Sequence, residues 1–128
     1  MINQQRTVTV RQLPANLDTQ GRKKFYSALY GCIDADRPRL VFDCRRLREL
    51  DPPAIHFLLC CLEETMKRNG DVKLALVTPE TRASLEAAGA DRIFEIFDTL
   101  VDAVDSYTQF FVRSASHDSI GGSAAQAA

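Results

Sequence analysis

The sequence predicts an α/β domain in which four strand–helix units build a mostly parallel central sheet. Three observations lead there. Short β-branched or apolar runs alternate with longer segments whose apolar residues recur every three or four positions. Capping side chains before proline and single glycines after the last apolar turn mark helix boundaries along the chain. The length, 128 residues, is that of one domain, large enough to fold around its own core without disulfides or metal.

The elements follow in order. Residues 7–13 alternate with period two and are rich in β-branched side chains, which makes them the first strand. Pro14-Ala15-Asn16 turns the chain. The first helix carries Phe25, Leu29, Cys32 and Ile33 on one face. Leu40-Val41-Phe42, after Pro38, has the length of a short buried strand. Ile55, Leu58, Leu59, Leu62 and Met66 line one face of the second helix, which closes at Asn69-Gly70. Residues 72–77 are the third strand. A third helix turns Leu85 and Ala88 inward and ends at Gly89. Residues 93–97 are the fourth strand, and the last helix repeats Leu100, Val104, Tyr107 and Phe111.

Two helix starts share one device. Asp51-Pro52 and Thr78-Pro79 each set a capping side chain before a proline. The cap oxygen accepts from an orphan N–H, and the proline removes a donor that had no partner. Asp98 is expected to cap the last helix in the same way.

Several function classes are excluded or disfavoured. The longest nearly apolar run, residues 54–62, is about half of what spans a bilayer, and it contains His56. The first residues show no apolar h-region, and the four cysteines (Cys32, Cys44, Cys60, Cys61) show no C-x-x-C spacing. A reduced, cytoplasmic compartment is therefore expected. There is no G-x-G-x-x-G, G-x-x-x-x-G-K-[ST], G-x-S-x-G or H-E-x-x-H. Cys44 is followed by Arg45 and Arg46, but a phosphatase-type loop would need arginine where Leu50 stands, so Cys44 is expected to be a small buried side chain. His56 and Cys60 share a helical face and with Cys44 would offer three metal ligands, one short of a closed zinc site. Asp43 and Asp51 have ordinary uses as a strand end and a helix cap. The expectation is a protein that is not an enzyme and has no metal or cofactor.

The charge balance is 16 Lys+Arg against 17 Asp+Glu, which argues against nucleic-acid binding. The total hides a split: residues 1–48 carry a net +6 and residues 49–128 a net −7.

Several segments, in order, carry a resemblance. Residues 10–18 are similar to an opening strand and an L-x-G-x-L-D turn, with Ala15 at the usual glycine. Leu40-Val41-Phe42-Asp43-Cys44 is similar to a second-unit strand ending in Asp. Residues 68–77 resemble a helix end, glycine turn and strand, and residues 85–97 an L-x-x-x-G-x-x-x-x-F-x-I-F segment. Asp102-Ala103-Val104 matches the start of a last helix. Together they resemble the STAS domain of anti-sigma factor antagonists over about residues 7–112. The domain is accordingly drawn as residues 1–113, with 114–128, which include His117, expected to be a disordered tail.

The resemblance implies a switchable protein-binding module acting in transcription regulation. In that family a serine in a D-S-[ST]-G turn, at the start of the second helix, is phosphorylated by a kinase that doubles as anti-sigma factor. Here the turn reads Asp51-Pro52-Pro53-Ala54. Neither proline has a hydroxyl, and the next one downstream is Thr65, about three helical turns away. The expected function is thus an anti-sigma-antagonist-like module without its phosphorylation switch. Its partner would be an anti-sigma factor or serine-kinase-like protein, bound through Asn16, Asp18, Arg46, His56, Phe57 and Cys60. Phe57, off the Ile55–Leu59–Leu62 row, is either a solvent-facing anchor or part of a wide buried stripe. The alternative implied by the same resemblance is a STAS subunit that clamps an ATPase of a membrane ABC system for lipids.

Overall fold

The computed structural model describes residues 7–107. The elements run β1 (Val8–Gln12), α1 (Thr19–Ile33), β2 (Arg39–Asp43), α2 (Pro52–Met66), β3 (Asp71–Ala75), α3 (Pro79–Ala87) and β4 (Ile96–Phe97). A three-ten turn at Ala90–Arg92 precedes β4, and a last helix, α4, covers residues 100–107. The four strands form one parallel sheet in the order β1-β2-β3-β4. The expected α/β architecture is what is observed. Residues 1–6 and 108–128, with Phe111 and the expected tail, lie outside the described residues.

The sheet has two unequal faces. Each strand is followed by its neighbour in space, and right-handed crossovers then place successive helices on one side. Side chains alternate across the pleat. Leu40, Phe42, Val72 and Leu74 enter the main core with Phe25, Leu29 and Ile33 of α1, Ile55, Leu58 and Leu62 of α2, and Leu85 of α3. Phe42 is fully buried, and the Phe25 ring meets it edge-on at 5.1 Å. Val41 and Ala75 point to the other face, where Ala103 and Tyr107 of α4 cover them.

Lys73 also points to the α4 face and is buried. Its ammonium lies 2.8 Å from Glu95 Oε1, donates to Ser106 Oγ at 2.8 Å, and sits 4.4 Å from the centre of the Tyr107 ring. The Tyr107 hydroxyl reaches the carbonyls of Leu40 (3.0 Å) and Asp71 (2.9 Å), so one side chain ties α4 to both central strands. Burial pushes the Tyr107 hydroxyl well above its ordinary pKa.

Five expectations need correction. Ala88 is exposed, because α3 turns Thr81 and Leu85 into the core instead. The fourth strand is two residues rather than 93–97. After Gly89, at φ 75°, the chain coils through the three-ten turn, and Phe94 N–H donates to Ala90 O at 3.2 Å. That geometry buries Phe94, exposes Ile93 and postpones pairing until Glu95 O accepts from Leu74 N–H. Met66 is 58% exposed, because the buried stripe of α2 turns through Cys61 and Thr65 instead. The Thr65 hydroxyl is satisfied there by the Cys61 carbonyl at 2.7 Å. The third strand stops at Ala75, since Leu76 takes a left-handed φ of 57°, a strained setting for a branched apolar side chain. Its side chain nevertheless packs with the α4 cluster. Finally, the cap of α4 is Thr99, whose hydroxyl accepts from Asp102 N–H at 3.0 Å, and not Asp98.

Candidate functional site: a closed helix start beside a basic cleft

The loops at the carboxyl ends of β1, β2 and β3 gather along one edge of the sheet, where open α/β sheets place their sites. Two of them are tied together by Arg48 N–H, which donates to Ala15 O at 2.9 Å. Leu47 and Leu50 are buried and anchor the β2–α2 loop, which leaves Arg45, Arg46 and Arg48 exposed. With Ala15, Leu47, Thr78 and Glu80 these arginines line an open cleft of about 470 Å³.

Asp43 lies beneath the arginines, 3% exposed at the end of β2. Its carboxylate accepts from Arg45 N–H (3.0 Å), the Arg45 guanidinium (2.8 Å) and the Gln12 amide (3.4 Å). Arg45 is thus partly neutralised. Cys44, the next residue, is buried as expected, and its thiol is pushed up to about 12 by that burial. It is an inert thiol in the core.

The first turn of α2 offers no free donor from Pro52 to Ile55. Asp51 has extended backbone (φ −80°, ψ 171°), and its carboxylate accepts from Ala54 N–H at 3.0 Å. Ile55 N–H donates to Asp51 O at 3.0 Å. Pro52 and Pro53 have no N–H at all. At Pro52, Pro53 and Ala54 the orphan amides that ordinarily make a helix start attractive to anions are therefore removed or occupied. Asp51, Pro52 and Pro53 are exposed, whereas Ala54 is buried. Thr65 is fully buried with its hydroxyl engaged, so it offers no substitute for the missing serine.

The residues expected at a partner surface divide into groups. Asn16 and Asp18 are exposed in the β1–α1 loop, but Asp18 is already the cap of α1, accepting from Gly21 N–H at 2.8 Å. Arg46 lines the cleft together with Thr78 and Glu80. His56 is exposed and Cys60 half-exposed on α2, with Nε2 and Sγ 3.5 Å apart. Phe57 is half-buried and packs on the core, 6.2 Å from the Phe25 ring. Of its two readings, Phe57 belongs to the wide apolar stripe of α2 and does not stand as a solvent-facing anchor. Thr78 and Glu80 were not anticipated. The Thr78-Pro79 cap signal placed a helix start there, but not its proximity to the arginines.

A model of the STAS domain matches residues 1–103. The chain belongs to the STAS domain family. Solved STAS structures share its fold. An anti-sigma-factor antagonist (STAS) domain protein from Planctomyces limnophilus superposes with a TM-score of 0.69 at 19% identity, covering 79% of this chain and 91% of that one. A protein from Thermotoga maritima, described as a candidate anti-sigma factor antagonist, gives 0.66 at 14% identity, covering 77% and 86%. A sulfate transporter family protein from Wolinella succinogenes gives 0.66 at 19% identity, covering 83% and 88%. No curated protein matches the chain. No helix among the described residues of this STAS domain is long and apolar enough to cross a membrane.

Proposed function

We propose that this STAS domain is a cytoplasmic protein-binding module, not an enzyme, which resembles an anti-sigma factor antagonist but is not switched by phosphorylation at the start of α2. The reading is carried by Asp51-Pro52-Pro53-Ala54, a helix start with no hydroxyl to modify and, from Pro52 to Ala54, no free amide to hold a phosphoryl group. A phosphoryl group would add about −1.5 to −2 charges at such a turn. Here the neighbourhood keeps whatever charge Arg45, Arg46 and Arg48 give it. The partner would dock on the β1–α1 loop, the α2 start and the exposed side of α2 around His56 and Cys60.

The test is the intact mass of the chain purified from its own host, with and without incubation with ATP and host extract. The unmodified mass is expected throughout, and stoichiometric phosphate on any residue would overturn the reading. Pro52→Ser restores a hydroxyl at the turn. It should fold with a loss of no more than about 1 kcal/mol and become phosphorylated only if the partner is a kinase.

The absence of a hydroxyl equally suits a second role, a clamp on the ATPase subunit of a membrane ABC system, which needs no phosphorylation. Tagged chain recovered from its host separates the two. An ATPase co-purifying in stoichiometric amount supports the clamp, and a kinase or sigma regulator supports the first role.

A further inference from the structure

The exposed side of α2, part of the proposed docking surface, also carries a pair of side chains that can ligate a metal. His56 and Cys60 are one helical turn apart, and Nε2 and Sγ are separated by 3.5 Å. Bond lengths of about 2.0–2.1 Å for Zn–N and 2.3 Å for Zn–S, set at a tetrahedral angle, put two ligands of one zinc ion about 3.6 Å apart. The pair already has the bite of a zinc chelate. Its surroundings leave it free to act. Pro52, one turn earlier on the same stripe, is exposed and carries no ligand atom, and the buried stripe of α2 faces away. Glu64, one turn later, is occupied by Lys67 and Arg68 at 3.2 and 3.3 Å.

The described residues supply no third ligand. No group of three or more His, Cys, Asp or Glu side chains among them lies close enough to hold a metal. Cys44, the third ligand suggested by the sequence, is buried in the core instead. A closed zinc site wants four ligands, and a twofold axis doubles whatever one chain presents.

We propose that His56 and Cys60 are half of a zinc site, and that the other half is the same pair on a second copy of the chain. The ion would be bound by two imidazole Nε2 atoms and two thiolates. As each Zn–S bond forms, the Cys60 thiol loses its proton to solvent, so two protons leave per ion. Imidazole and thiolate favour zinc over magnesium or calcium. This proposal stands on the geometry of the pair and does not depend on the identity of any partner.

Cobalt(II) tests it, because thiolate coordination to cobalt gives a charge-transfer band in the near ultraviolet. The full chain, kept reduced with a phosphine, is titrated with Co²⁺ while its mass is followed by sedimentation. The expected result is saturation at one ion per two chains, a dimer at saturation, and loss of the band when zinc is added. His56→Ala and Cys60→Ser should each weaken binding at least tenfold and leave the chain monomeric, with an unchanged circular dichroism spectrum. The proposal fails if no charge-transfer band appears, if the band survives in Cys60→Ser, or if the saturated complex is a monomer with one ion per chain.

Discussion

Asp51 illustrates how much one side chain decides at the residue scale. Its carboxylate and its carbonyl hold the first two amides of α2 that exist, since the two preceding positions are prolines. Asp51→Ala is expected to lower stability by about 1 kcal/mol in urea unfolding, and Asp51→Asn to be close to neutral. Asp71 works in the opposite sense. Burial raises its carboxyl above the ordinary range, against the Val72 N–H and Lys73, which lower it. A raised carboxyl favours the fold where it is protonated. That contribution is full below the unfolded value of about 3.9 and is lost as pH rises through the folded value. Asp71→Asn keeps an oxygen for the Val72 N–H, which now donates at 2.8 Å to the carboxylate. It should be more stable than the parent at neutral pH and show no advantage below about pH 3, as read from melting temperatures across pH.

At the scale of elements, what the sequence made legible was the cap-and-proline signal and the order of strands and helices. Asp51-Pro52 and Thr78-Pro79 start helices where expected, and the caps bond to Ala54 and Thr81. Local chemistry suffices there, because a cap needs only its own next three residues. The errors arose where a tertiary choice overrode a local pattern. Met66 and Thr65 compete for the inner side of α2, and periodicity alone favours the thioether. The buried threonine wins because its hydroxyl finds the Cys61 carbonyl within its own helix. Phe57 lies between the two faces, and its packing against Phe25 of α1 draws it toward the core. The arginine cleft was invisible as a cleft, since Thr78 and Glu80 reach it only through the packing of α3. Gly70 is a closer fit than its turn signal suggested. A Cβ built there would lie 2.1 Å from Pro38 O, a backbone atom that itself accepts from Asp71 N–H. Gly70→Ala is therefore expected to cost about 1–3 kcal/mol, measured by denaturant unfolding, by forcing β3 away from the segment that leads into β2.

For the molecule as a whole, the two faces of the sheet are held by different means. The α1–α3 face is a conventional apolar core, whereas α4 is fastened by the Tyr107 hydroxyl and the buried Lys73 ammonium. Tyr107→Phe keeps the ring and removes the hydroxyl that two strand carbonyls share. The expected loss is about 1–3 kcal/mol, with amide exchange rising first in α4. The charge split also changes meaning in three dimensions. Arg11 and Arg39, from the basic half, lie in strands hydrogen-bonded side by side, and Lys73 and Glu95, both from the acidic half, pair with one another. What remains outward on one edge is the arginine loop beside the proline pair. Those prolines have a further consequence. Their rings have essentially no rotamer freedom, and their φ angles are fixed before any encounter. A partner pressed against Pro52 and Pro53 therefore freezes nothing there, and the area it covers is not offset by a cost of ordering.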